Sequence, residues 1–179
     1  MTFPTSDLEL IQRLLLAAAL GAVLGIEREL RQKSAGLRTN ILIAVGSALF
    51  TLMSIEMAEA SGTDPTRIAA QIVTGIGFLG AGAIMRTDVG VQGLTTAATV
   101  WVNAAVGVAV GGGEYHLAVI ATSVTVAVLL LLVPIERLID RFAARNPLGD
   151  DRPSPSAPSG GSAETRAEGR AAPPRSTPR

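Results

Sequence analysis

The sequence predicts an all-α, polytopic membrane protein: about five transmembrane helices, the N-terminus outside, the C-terminus cytoplasmic, and a disordered tail. Three observations lead there. Only 17% of the 179 residues are charged and 48% are hydrophobic, against about a quarter charged in a soluble domain. The charges also cluster, leaving uncharged runs of 18 residues between Arg67 and Arg86, 25 between Asp88 and Glu114, and 19 between His116 and Glu136. At about 1.5 Å per residue, roughly 20 helical residues cross a hydrocarbon core about 30 Å thick. Finally, basic residues concentrate in alternate loops, as they do when positive charge marks the cytoplasmic face.

The first span is expected near 8–26. Its apolar heart, Leu14 to Ile26, is only 13 residues long, and it reaches crossing length when Glu9 and Arg13 extend toward the interface. The preceding stretch "MTFPTSDLELIQR" is acidic, with no basic residue before Arg13, so a secretory signal peptide is not expected. The second span, near 40–58, is built on "NILIAVGSALFTLMSI" and runs into Glu56. Spans near 68–85, 94–112 and 117–135 follow from the three uncharged runs. Arg28, Arg31, Lys33 and Arg38 fall between the first two spans, Arg86 between the third and fourth, and Arg137, Arg141, Arg145 and Arg152 after the fifth. The opposite side receives Arg13 and Arg67 with acidic Asp7, Glu9, Glu56, Glu59, Asp64 and Glu114. Residues 1–143 therefore form the transmembrane domain. Residues 144–179 hold seven of the ten prolines and no Ile, Val, Phe, Tyr or Trp. Such a stretch buries too little apolar surface to offset its ordering entropy, so a disordered cytoplasmic tail is expected.

The third span contains Gly75, Gly77 and Gly80 in the spacing G-x-G-x-x-G, the fingerprint of a dinucleotide-binding turn. That reading requires a strand before the glycines and an acid about 20 residues on. Here the glycines lie inside one apolar span, and residues 95–100 read "TTAATV". The context excludes it. At 100° per residue Gly77, Gly80 and Ala81 fall on one side of the helix, and Gly75, Gly82 and Ala83 on the other. Small residues let helices approach closely in lipid, so a central helix sandwiched between two neighbours is expected. A bent or partly unwound helix at a covered or wet cavity is the alternative.

Polar residues at membrane depth are costly and invite a functional reading. Glu27 and Arg28 close the first span, and Arg38 and Thr39 open the second. They serve as interfacial anchors or as an ion-pair cluster at the cytoplasmic mouth. Arg67 and Gln71, four apart, share a helix face. Arg67 breaks the positive-inside pattern, and Glu56 or Glu59 is its expected partner. On the fourth span Thr95 and Thr96 precede Thr99 and Asn103, and Thr96, Thr99 and Asn103 line one face. Interhelical hydrogen bonds, about 0.6 kcal/mol each in membranes, account for that stripe, with a narrow polar cavity as the alternative. Trp101, at mid-span, is expected in packing, and His116 at the interface. With no cysteine, thiolate metal sites and disulfides are excluded.

The segments "GIEREL" (25–30), "AGLRTNILIAVGSALF" (35–50), "DPTRIAAQIVTGIGFLGAGAIM" (64–85) and "GLTTAATVWVNAAVGVAVGGGEY" (93–115) closely resemble the membrane domain of the MgtC/SapB family. The resemblance covers roughly residues 8–140. It implies a bacterial inner-membrane protein of about five spans, linked to magnesium homeostasis, growth at low magnesium and survival inside host cells. It also implies a role as a regulator of other membrane proteins, among them ATP synthase and transporters. Many members carry a soluble domain after the last span. The short form is expected here, with only the Pro-rich tail.

Three function classes then compete. A magnesium transporter or channel calls for oxygen ligands or a carboxylate ring along a pore. The acids of this chain lie at span ends, and only oligomerisation would gather Glu27 or Glu56 into a ring. A non-enzymatic regulator calls for small-residue surfaces that dock onto other inner-membrane proteins. An enzyme is not expected, since the chain has one histidine and no carboxylate pair at membrane depth. The expected partners are the bilayer, other inner-membrane proteins and a second copy of the chain. No cofactor, metal or nucleic acid is expected.

Overall fold

A computed structural model describes residues 6–88 and 90–145. It holds five helices: α1 (Asp7–Leu30), α2 (Leu37–Ser61), α3 (Arg67–Gly82), α4 (Leu94–Gly111) and α5 (Tyr115–Arg145). A hairpin of two short antiparallel strands, β1 (Met85–Thr87) and β2 (Gly90–Gln92), joins α3 to α4, pairing Met85 with Gln92 and Arg86 with Val91. The tail expected over 144–179 lies outside the described residues except for Ala144 and Arg145, which end α5.

Among the described residues, four helices are long and apolar enough to cross a membrane: α1, α2, α4 and the Tyr115–Leu132 part of α5. The third differs from the expected span of 68–85. It is 16 residues long and stops at Gly82, about 24 Å at the usual rise. The chain then turns at Ala83 and enters the hairpin at Met85. The uncharged run from Ile68 to Met85 conceals that turn because Ala83, Ile84 and Met85 continue the apolar composition of the helix.

The boundaries follow from local chemistry. Ser6 caps α1, its hydroxyl accepting from the Glu9 amide. Gly62 ends α2 in the left-handed region with φ 65°, a conformation that costs a residue lacking Cβ little. At the start of α3, Asp64 Oδ1 accepts from both the Thr66 amide and the Thr66 hydroxyl, each at 2.8 Å. These two bonds hold the exposed Asp64 carboxyl below its ordinary value, with Arg67 adding to the effect.

The bundle is organised around α2 and α4. α1, α2 and α4 pack mutually, α5 lies against α1 and α4, and α3 leans on α4 and α2. One apolar cluster joins Ala17, Ala44, Ala48, Val106, Val110 and Ala118; a second joins Ala35, Ile43, Ile76, Val100 and Ala104. The prevalence of alanine follows from lipid as solvent. Hydrocarbon competes with any large apolar side chain, so association comes from close backbone approach.

Candidate functional site

The interface of α2 and α4 carries a buried polar seam. On α2, Asn40, Ser47, Thr51 and Ser54 are buried; on α4, Thr96, Thr99 and Asn103 are buried. Spacings of seven, four and three put each set on one helix face. At the centre Asn103 Nδ2 donates to the Asn40 carbonyl at 2.6 Å and to Asn40 Oδ1 at 3.2 Å, with both residues 0% exposed. Asn40 Nδ2 donates in turn to the carbonyls of Ala35 and Gly36, holding the α1–α2 turn. Thr51 donates to the Ser47 carbonyl and Thr99 to the Thr95 carbonyl. Those hydroxyl protons bond back to their own helices and are not presented to a ligand.

Glycines close the seam. A Cβ built on Gly107 would collide with the Ala44 carbonyl oxygen and come within 2.8 Å of Ser47 Cβ. One built on Gly111 would lie 2.6 Å from the Ala48 oxygen and 2.8 Å from Thr51 Cβ. On the other flank of α2, a Cβ on Gly21 would lie 2.8 Å from the Asn40 oxygen, and one on Gly25 2.7 Å from Leu37 Cα. Both pairs are G-x-x-x-G repeats, the spacing that brings membrane helices into backbone contact. These four glycines, not those of α3, carry the close packing, and their i, i+4 spacing is the signal for it in the sequence. Asn40 and Ser54 are not among the expected site residues.

Charged ties hold α1 to α4 at both ends. Arg28, 2% exposed, donates through Nη2 to Thr96 Oγ1 at 2.7 Å. Its neighbour Glu27 is buried and pairs with Arg31 one turn on. At the other end Arg13 Nη1 donates to the Gly111 carbonyl at 2.8 Å, Nη2 donates to Glu9 Oε1 at 2.5 Å, and the guanidinium lies 5.9 Å from the Tyr115 ring centroid. Arg13 thus places positive charge on the C-terminal carbonyls of α4, where the helix dipole favours it.

Several expected arrangements are corrected. The ion-pair cluster does not extend to Arg38 and Thr39, both of which are exposed; Glu27 and Arg28 instead face Arg31 and Thr96, on the bundle side of α1. Arg67 pairs with neither Glu56 nor Glu59 among the described residues and acts on Asp64, three residues before it. α3 is an outer helix, not a sandwiched one. Only Ile76 and Gly80 are buried, and a Cβ on Gly75, Gly77 or Gly82 would meet nothing within 4 Å. Gly80 alone of these faces a neighbour, with Ala97 Cβ at 3.7 Å. Gln71 and Thr95 are exposed. Trp101 is 53% exposed on the lipid side and does not pack in the core.

Two grooves open on the flanks of the bundle. The larger, about 560 Å³, runs between α2 and α3, with Gly46 and Phe50 on one wall and Gly75 and Leu79 on the other. The second, about 440 Å³, lies between α1 and α5 beside Leu20, Val23 and Thr122. Among the described residues no three His, Cys, Asp or Glu side chains gather to hold a metal ion.

Helices of crossing length, alanine cores, glycine-mediated contacts and a buried Asn pair define a multi-pass α-helical membrane protein. Within that class the chain belongs to the MgtC family, whose model matches residues 14–138. It is 47% identical over 144 residues to YhiD of Escherichia coli (strain K12), which is named as a candidate magnesium transporter, covering 77% of this chain and 66% of that one. It is 52% identical over 122 residues to protein MgtC of Salmonella typhimurium (strain LT2), covering 68% of this chain and 52% of the relative. Protein MgtC of Brucella abortus (strain 2308) is 49% identical over 129 residues, covering 72% and 53%. The chain thus spans between about half and two thirds of the length of these relatives. No solved structure matches it.

Proposed function

We propose that this chain is a non-enzymatic regulator in the bacterial inner membrane that docks onto other membrane proteins and serves magnesium homeostasis. The observation that carries the reading is the contrast between its two surfaces of small residues. Inside, Gly107 and Gly111 press α4 against α2, and the Thr51 and Thr99 hydroxyls bond back to their own helices. Outside, α3 presents exposed Ala70, Thr74, Gly77 and Ala81 at spacings of four, three and four, a stripe of small residues directed at lipid. Small residues that face acyl chains gain nothing there, whereas against another helix they permit close contact. The family names speak for the magnesium connection, and the resemblance for low-magnesium growth and virulence. In the proposed orientation the Arg28 end of the bundle is cytoplasmic.

The second reading, a magnesium transporter or channel, draws on the name carried by the E. coli relative and on the buried carboxylate of Glu27. Flux separates them. Purified protein in liposomes, with a magnesium-sensitive dye inside and an inward gradient, is expected to give no signal above empty liposomes at any imposed potential. A signal abolished by Glu27→Gln or Glu56→Gln would sink the regulatory reading.

A further inference from the structure

We propose that α3 is a strap, fixed at both ends, whose middle bows onto α2 and closes the groove between them. Its first end is tied to α2: Ser54 Oγ donates to the Pro65 carbonyl at 2.5 Å and accepts from the Ile68 amide at 3.2 Å. Its other end is held at Gly93, which has φ 89° and lies so close to the Ala83 carbonyl that any side chain there would collide with it. Between these points the helix is soft. Four glycines fall within residues 75–82, and glycine weakens a helix relative to alanine.

The two walls of the groove match in depth. From the Ser54–Ile68 contact, Gly46 lies eight residues along α2 and Gly75 seven along α3, about 12 and 10.5 Å at the helical rise. The two helices run antiparallel, so these glycines sit at one level, and both line the groove. A Cβ on either would meet nothing within 4 Å. A facing pair of glycines is what allows two membrane helices to come into backbone contact, yet here they stand apart. Closure exchanges lipid contacts for helix contacts, with little hydrophobic drive either way. The two arrangements are therefore close in free energy, the condition for a two-state element that a partner can bias. The inference rests on this geometry and does not depend on the regulatory reading.

The chain has no cysteine, so introduced ones are unambiguous. Spin labels at Leu49→Cys and Phe78→Cys, both exposed sites, are read by pulsed electron–electron resonance on the full chain in liposomes. Two distance populations are expected, with the shorter one lost in Gly75→Leu. A single distribution that Gly75→Leu leaves unchanged overturns the proposal. Independently, Gly46→Cys with Gly75→Cys should form a disulfide on the order of tenfold faster than Gly46→Cys with Gly77→Cys, whose second site points away from α2. Equal rates, or no bond in either pair, also overturn it.

Discussion

At the scale of single residues, what a glycine faces decides what replacing it does. Gly107 and Gly77 are both helical and both stand in a recognisable glycine spacing, but only Gly107 meets a neighbouring helix. Gly107→Val would drive two methyl groups into the Ala44 carbonyl, and overpacking of this kind costs about 1–3 kcal/mol or more. Gly77→Ala enters open space and should stabilise α3 by roughly 0.5–1 kcal/mol. Melting of the two variants in detergent is expected to move in opposite directions from the parent, and a common direction would show that the seam is not tight. Arg28 is another residue whose role depends on its surroundings. Its place at the end of an apolar span was legible as an anchor, but burial against Thr96 was not, because that contact joins residues 68 apart.

At the scale of elements, three of the five helices were legible from uncharged runs of near-crossing length, and α1 and α2 from shorter apolar stretches extended by their flanking charged residues. The end of α3 was not, since Ala83, Ile84 and Met85 continue its apolar composition up to Arg86, the first charge of the hairpin. Nor was the exposure of α3, because periodicity identifies faces without saying which neighbour each one meets. The turn before α3 has a titratable lock in Asp64. Its carboxyl is depressed by the Thr66 amide and hydroxyl, so the turn is at full strength above the ordinary carboxylate range. It weakens as pH falls through the depressed value. The Thr66 amide resonance is expected to titrate with a midpoint below that of a free aspartate, and Asp64→Asn should abolish the titration. A midpoint at or above the free value would mean the turn does not form.

At the scale of the whole molecule, the bundle threads a buried polar seam through a core of small apolar side chains and exposes large apolar side chains at its rim, where a soluble domain is polar. Its orientation in the membrane is the proposal that most directly governs function, since it decides which side meets the Arg28 end. A single cysteine at exposed Lys33 or Arg86 should react with membrane-impermeant maleimide only after the cells are opened, and one at exposed Glu59 or Asp64 in intact spheroplasts. The opposite pattern would invert the proposed topology. The candidate site was legible in part. Thr96, Thr99 and Asn103 could be placed on one face from spacing alone, but Asn40, which completes the pair with Asn103, lies 63 residues away.

The tie between Arg28 and Thr96 also sets a timetable. The arginine is synthesised with the first helix, whereas the hydroxyl that receives it arrives 68 residues later. At roughly 5–20 residues per second that delay is about 3–14 s. During it, the guanidinium of α1 still lacks that acceptor. A bundle that has not yet received its fourth helix therefore lacks the buried tie that joins α1 to α4.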